Sequence, residues 1–189
     1  LGLVGSEMCI RDRVREHSEG REMTANILPS ASAEKHYPIA FNLIPQIDVF
    51  CDNLYTKEEM KMVNETKKIM EDYEMRITAT TIRVPVYRSH SESVNIELEK
   101  EVDLGAMREA LAKFPGVTVQ DDPSKQEYPM PLYTSEKDDV YVGRLRRDES
   151  CEKSYNMWVV GDQIRKGAAL NTLQTVSYTH LRAHETEAD

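Results

Sequence analysis

Two adjacent runs limit the fold most tightly. In "SVNIELEK", Val94, Ile96 and Leu98 alternate with Asn95, Glu97 and Glu99, the period of a strand with one apolar and one wet face. The next run, "EVDLGAMREALAKFPG", changes to helical spacing: Asp103 suits an N-cap, Val102 and Met107 are placed as a hydrophobic staple, and Leu104, Met107, Leu111 and Phe114 share a face. Pro115 and Gly116 stop it. A half-wet strand belongs in an antiparallel neighbourhood. Upstream, "YTKEEMKMVNETKKIMEDY" opens with Thr56 and Glu59 in the S/T-x-x-E capping box and sets Met60, Val63 and Met70 on one side. Short strands are predicted at 117–119, 140–146 and 156–160, a polar stretch at 121–139, and a last helix at about 162–174. The order is not a strict βαβ alternation, so the class is α+β, with a mostly antiparallel or mixed sheet and helices on one face.

Composition excludes several functions. A chain of 189 residues, 40% hydrophobic and 30% charged, has enough apolar material for one core. No run approaches the roughly eighteen apolar residues of a membrane span, and the first residues lack a secretory pattern, so a cytoplasmic protein is expected. The formal charge of −9 disfavours nonspecific nucleic-acid binding. The densest basic run, Arg144, Arg146 and Arg147 in "GRLRRD", is short and closed by an acid. Cys9, Cys51 and Cys151 form neither a CxxC pair nor a metal-ligand spacing and read as reduced thiols, with no metal.

The two ends read differently from the middle. "LGLVGSEMCIRDR" and "VSYTHLRAHETEAD" resemble translated sequencing-adapter read-through, and residues 1–13 and 177–189 are therefore set aside as non-native tails, leaving 14–176 as one domain. Arg11 and Arg13 cancel Glu7 and Asp12, and Arg182 offsets one of Glu185, Glu187 and Asp189. The middle stays acidic.

Local rules leave the chemistry open. "TIRVPVYRSHSES" places Arg83 and His90 seven apart, and the β-branched residues around Pro85 argue for a strand rather than a helix. An odd separation sends strand side chains to opposite faces, so the two converge only if the chain bends. His90 is the one histidine flanked by strands; His17 precedes the first clear helix or strand. Glu58 and Lys61, three apart, read as a solvated ion pair. Asp162 reads as a helix cap, with Gln163 beside it. There is no G-x-G-x-x-G and no G-x-x-x-x-G-K-[ST], so no self-contained dinucleotide or P-loop site is expected.

Taken in order, "HYPIAFNLIPQIDVF", "EEMKMVNETKKIMED", "IRVPVYRSHSES", "YPMPL", "DVYVGRLRRD" and "MWVVGDQIRKGAALN" closely resemble the second half of the aspartate-semialdehyde dehydrogenase family. The resemblance runs from about residue 14 to 176. It implies a glyceraldehyde-3-phosphate-dehydrogenase-like C-terminal domain that pairs as a homodimer. It also implies NADPH-dependent reductive dephosphorylation of β-aspartyl phosphate through a cysteine thioester, on the path to lysine, threonine and methionine. By motif, Arg83 resembles the substrate-carboxylate clamp, His90 the acid/base, Glu58 the holder of the substrate amine, Lys61 the phosphate ligand and Gln163 a residue near NADP. Arg83 and His90 are then expected at a common pocket, with a bend after the strand.

The same resemblance identifies what is missing. The family's nucleophilic cysteine and Gly-rich cofactor loop lie upstream of anything in this chain, while Cys51 and Cys151 fall where the family has no nucleophile. The chain is thus expected to be a catalytic and dimerisation half that is inactive alone. A related acyl-phosphate or acyl-CoA reductase fragment, or a non-catalytic dimerisation module, is the competing reading.

Overall fold

Thr56 starts a helix because its hydroxyl accepts the Glu59 N–H while the Glu59 carboxylate accepts the Thr56 N–H at 2.8 Å, satisfying two backbone donors that a helix start otherwise leaves unpaired. This is one of two N-termini whose sequence signature and structure agree. The other is Asp103, which accepts from the Gly105 and Ala106 N–H groups. The computed structural model describes residues 2–25 and 28–176, which divide after Tyr87 into two units.

The first unit holds α1 (Gly2–Ser18) and α2 (Lys57–Met70), joined and followed by extended segments. Its core is Ile10, Leu28, Ile39 and Ile44, with Cys9 packed against it. Of the segment 1–13 set aside on sequence grounds, residues 2–13 lie in α1, and Ile10, 4% exposed, is part of this core. His17, expected ahead of the first helix, lies in α1 with its ring 4.8 Å from that of Phe41.

Arg13 and Glu16, one helical turn apart in α1, form a buried two-pronged pair at 2.6 and 2.7 Å. The Thr24 N–H also donates to Glu16 at 2.9 Å. The Thr24 backbone donor first and Arg13 second bring the Glu16 carboxyl down from 4.5 to about 2. A carboxyl lowered by folding adds stability that is complete above its unfolded value and lost as pH falls through its folded one. Glu16→Gln should therefore flatten the acid limb of the urea midpoint between about pH 4.5 and 2; parallel limbs for the two proteins would remove Glu16 from the acid response.

The expected strand over 80–86 is corrected to one isolated antiparallel bridge between Ile44 and Arg83. On one side the next ladder donors would be Gln46 and Thr81, but the Gln46 N–H turns back to the Ile44 carbonyl and the Thr81 N–H goes to Glu59; on the other side Pro85 has no N–H to give.

The second unit is a four-stranded sheet in the order β1-β4-β3-β2, formed by β1 (His90–Glu97), β2 (Val117–Val119), β3 (Val140–Arg147) and β4 (Ser154–Gly161). β4 is antiparallel to both neighbours and β2 is parallel to β3, which makes the sheet mixed. Helix α3 (Leu104–Lys113) packs Met107 against Val142, Leu145 and Tyr155, with Ile96, Met157 and Val159 around them. The fully buried Tyr155 accepts the Val102 N–H at 2.6 Å and donates to the Val102 carbonyl at 2.7 Å, fastening the entry to α3.

Between β2 and β3 the polar stretch forms a 3-10 turn (Pro123–Lys125) and a one-turn helix, α4 (Pro131–Thr134). A Cβ at Gly143 would collide with the Gln120 carbonyl oxygen and lie 2.6 Å from Pro129 Cδ, so glycine alone lets this stretch approach β3. Trp158 fastens it by donating its indole N–H to the Pro129 carbonyl at 3.0 Å. The helix expected over 162–174 begins instead as a wide π turn (Arg165–Ala169), in which the Ala169 N–H reaches back to the Ile164 carbonyl; regular helix follows to residue 176. The far tail, 177–189, lies outside the described residues.

Candidate active site

In the first unit, Arg83 is fixed before any ligand arrives. Its backbone makes both bonds of the Ile44 bridge, at 2.9 and 3.1 Å, and its Nε donates to the Pro29 carbonyl at 3.1 Å. That leaves the terminal nitrogens of the fork to grip a carboxylate. Burial is the main influence on the guanidinium and lowers its pKa; the charge of Glu58 first, then Cys9, opposes this. Lys61 Nζ lies 3.6 Å from Glu58 on the next turn of α2, a half-exposed pair worth only a few tenths of a kcal/mol by itself.

Glu58 and Lys61 thus pair on α2, and the charge of Glu58 acts on Arg83. Sequence reasoning missed what joins them. Glu59, read as a cap, also accepts the Thr81 N–H at 2.8 Å, tying the start of α2 to the segment that carries Arg83. The Thr56 backbone bond is the largest influence lowering its carboxyl pKa; burial raises it and the Thr81 bond lowers it further. A bond between residues so far apart in the chain leaves no local signature.

In the second unit, His90 is the exposed first residue of β1, opposite Gly161 at the end of β4. Before it, Ser89 takes φ +71°, and the Ser89 N–H donates to Gln163 Oε1 at 2.8 Å. His90 and Gln163 are thus linked through one residue. Asp162, 1% exposed, accepts from the Glu136 and Ile164 N–H groups at 2.7 and 2.8 Å. Burial is the largest single influence on its carboxyl and pushes the pKa up, but the Glu136, Ile164 and Arg165 backbone donors outweigh it, and the net shift is downward. The expected cap is present, and it also binds a distant loop.

Cys151 is exposed, and Cys51 is part-buried in the loop before α2. Cys9, read as a reduced thiol in the set-aside end, packs against the core of the first unit. Among the described residues no group of three or more His, Cys, Asp or Glu is placed to hold a metal ion, and no helix is long and apolar enough to cross a membrane.

Residues 10–166 match the family described as semialdehyde dehydrogenase, dimerisation domain. The chain belongs to this family. It is 47% identical over 165 residues to aspartate-semialdehyde dehydrogenase of Aquifex aeolicus, covering 87% of this chain and 47% of that protein. With the Campylobacter jejuni enzyme of the same name the identity is 54% over 138 residues, covering 73% of this chain and 40% of that one. A crystal structure of aspartate semialdehyde dehydrogenase II from Vibrio cholerae superposes with a TM-score of 0.82 at 36% identity, over 90% of this chain and 48% of that one; the same protein has been solved in complex with ASA. The chain spans about half the length of the curated relatives it matches. The mixed sheet with its helices is the fold of this family's C-terminal domain.

Proposed function

We propose that this chain is the catalytic and dimerisation half of an aspartate-semialdehyde dehydrogenase. Its reaction would be the NADPH-dependent reductive dephosphorylation of β-aspartyl phosphate, in the cytoplasm, on the path to lysine, threonine and methionine. The observation that carries the reading is the Arg83 neighbourhood. A half-buried guanidinium with its Nε occupied, a carboxylate whose charge acts on it and an ammonium paired with that carboxylate offer complementary charge to a carboxylate, an amine and a phosphate, the three charged groups of this substrate.

In this reading Arg83 holds the α-carboxylate, Glu58 the amine and Lys61 the phosphate, while His90, exposed at the start of β1, moves the proton. NADPH supplies the hydride. Gln163 fits a place beside it: with Oε1 committed to Ser89, its amide nitrogen is the group left to donate to a carboxamide. The chain would self-associate as a homodimer, a reading supported by the family's description as a dimerisation domain.

The chain on its own is expected to turn nothing over. Thioester chemistry needs a thiolate beside a base, and a held nicotinamide needs a phosphate-cradling loop that the sequence lacks. The test supplies NADP, phosphate and aspartate semialdehyde and follows NADPH absorbance, for the chain alone and for the chain fused to the upstream half of a relative. Turnover is expected in the fusion only. A silent, folded fusion would overturn the assignment. Turnover by the chain alone, abolished by Cys9→Ser, Cys51→Ser or Cys151→Ser, would overturn the expected inactivity.

A further inference from the structure

Ser89 is held by more contacts than a connecting residue requires. Its φ of +71° lies in the left-handed region, which costs a residue with a Cβ roughly 1 kcal/mol or more and persists only where the surroundings enforce it. Ser89 is 5% exposed, and the surroundings are specific. Thr134 Oγ1, at the end of α4 and 1% exposed, donates to Ser89 Oγ at 3.1 Å. Ser89 Oγ lies 3.3 Å from Ser135 Oγ, which donates to the Pro131 carbonyl at 2.7 Å. The Thr134 proton is shared between Ser89 Oγ and the Met130 carbonyl, 3.2 Å away, and because Ser135 gives its own proton to Pro131, Ser89 is left as the donor to Ser135.

The Ser89 N–H is taken separately, by Gln163. Asp162 ties the two supports together, since one of its oxygens accepts from Glu136, just after α4, and the other from Ile164, just after Gln163. The Arg88 guanidinium pairs with Glu136 at 2.9 Å, so the residue before Ser89 is anchored to the same loop.

We propose that Thr134 and Gln163 are positioning residues for His90: by holding Ser89 in the left-handed conformation, they set the direction in which His90 enters β1. This rests on the reading of His90 as the acid/base. Neither residue acts on substrate in this role. Buried hydroxyl and amide contacts of this kind define one geometry because the alternative leaves polar groups unpaired.

The test uses the 189-residue chain and NMR, comparing Thr134→Val, which keeps shape and removes the hydroxyl, with Thr134→Ser, which keeps the hydroxyl. Gln163→Met and Gln163→Glu make the same comparison at a half-exposed position whose loss leaves the core intact. The Val and Met variants are expected to move the His90 ring resonances and speed Ser89 amide exchange about tenfold, with α3 amides unchanged; Ser and Glu should restore both. Folded Val and Met variants with unaltered His90 resonances and Ser89 exchange would overturn the proposal. So would failure of both to fold, since the contacts would then serve global stability. The acid/base reading fails separately, if the completed enzyme keeps its activity with His90→Asn.

Discussion

Replacing His90 with asparagine in the completed enzyme should lower kcat by about 10²- to 10⁴-fold, the usual worth of a positioned proton-transfer group. The asparagine side chain retains hydrogen bonding and approximate size but cannot exchange a proton near neutral pH. His90 is exposed at the first position of β1, so its replacement creates no cavity and should leave the thermal midpoint within a degree or two. The decisive measurement is the pH profile of kcat together with its size. A variant within about twofold of the parent in kcat would remove His90 from the chemistry.

Arg83→Lys should lower kcat/KM for aspartate semialdehyde by about a hundredfold, mainly through KM. A two-pronged, charge-assisted grip on a carboxylate is worth about 3 kcal/mol, and an ammonium reproduces its charge but not its fork. The substitution also removes the Nε donor to Pro29, so one contact that aims the side chain goes with it. The backbone bridge to Ile44 is untouched, which keeps the segment in place and separates loss of grip from loss of structure. Steady-state kinetics in the phosphate-dependent direction give the split; an unchanged kcat/KM would rule the clamp out.

What was legible in the sequence was local. The capping boxes and caps at Thr56 and Asp103 could be read because their donors and acceptors sit within three residues, and the alternation in Val94, Ile96 and Leu98 because strand side chains have a period of two. The α+β class followed from the order of such elements. The candidate site came from motif resemblance, and spacing alone left Arg83 and His90 undecided.

The failures share a cause. The strand expected around Arg83 shrank to one bridge because ladder length depends on partners: the Thr81 N–H goes to Glu59, 22 residues earlier, and the Gln46 N–H to Ile44. Residues 1–13 were set aside for their likeness to adapter read-through; Ile10 among them packs against Leu28, Ile39 and Ile44, contacts that no local rule could foresee. The last helix opened into a π turn where Asp162 is engaged by Glu136, 26 residues earlier.

By itself the sequence determined where α2 and α3 begin and that the sheet has a wet face; which side chains suit a carboxylate, an amine, a phosphate and a proton came from the family resemblance. Tertiary structure alone decided how those side chains are held. Glu59 became a tie between α2 and the Arg83 segment, across 22 residues, and Ser89 became a strained pivot gripped by Gln163, across 74. The physical reason is range: propensity, capping and periodicity act within about one turn or one pleat, whereas a buried donor must take whatever acceptor the folded chain brings to it.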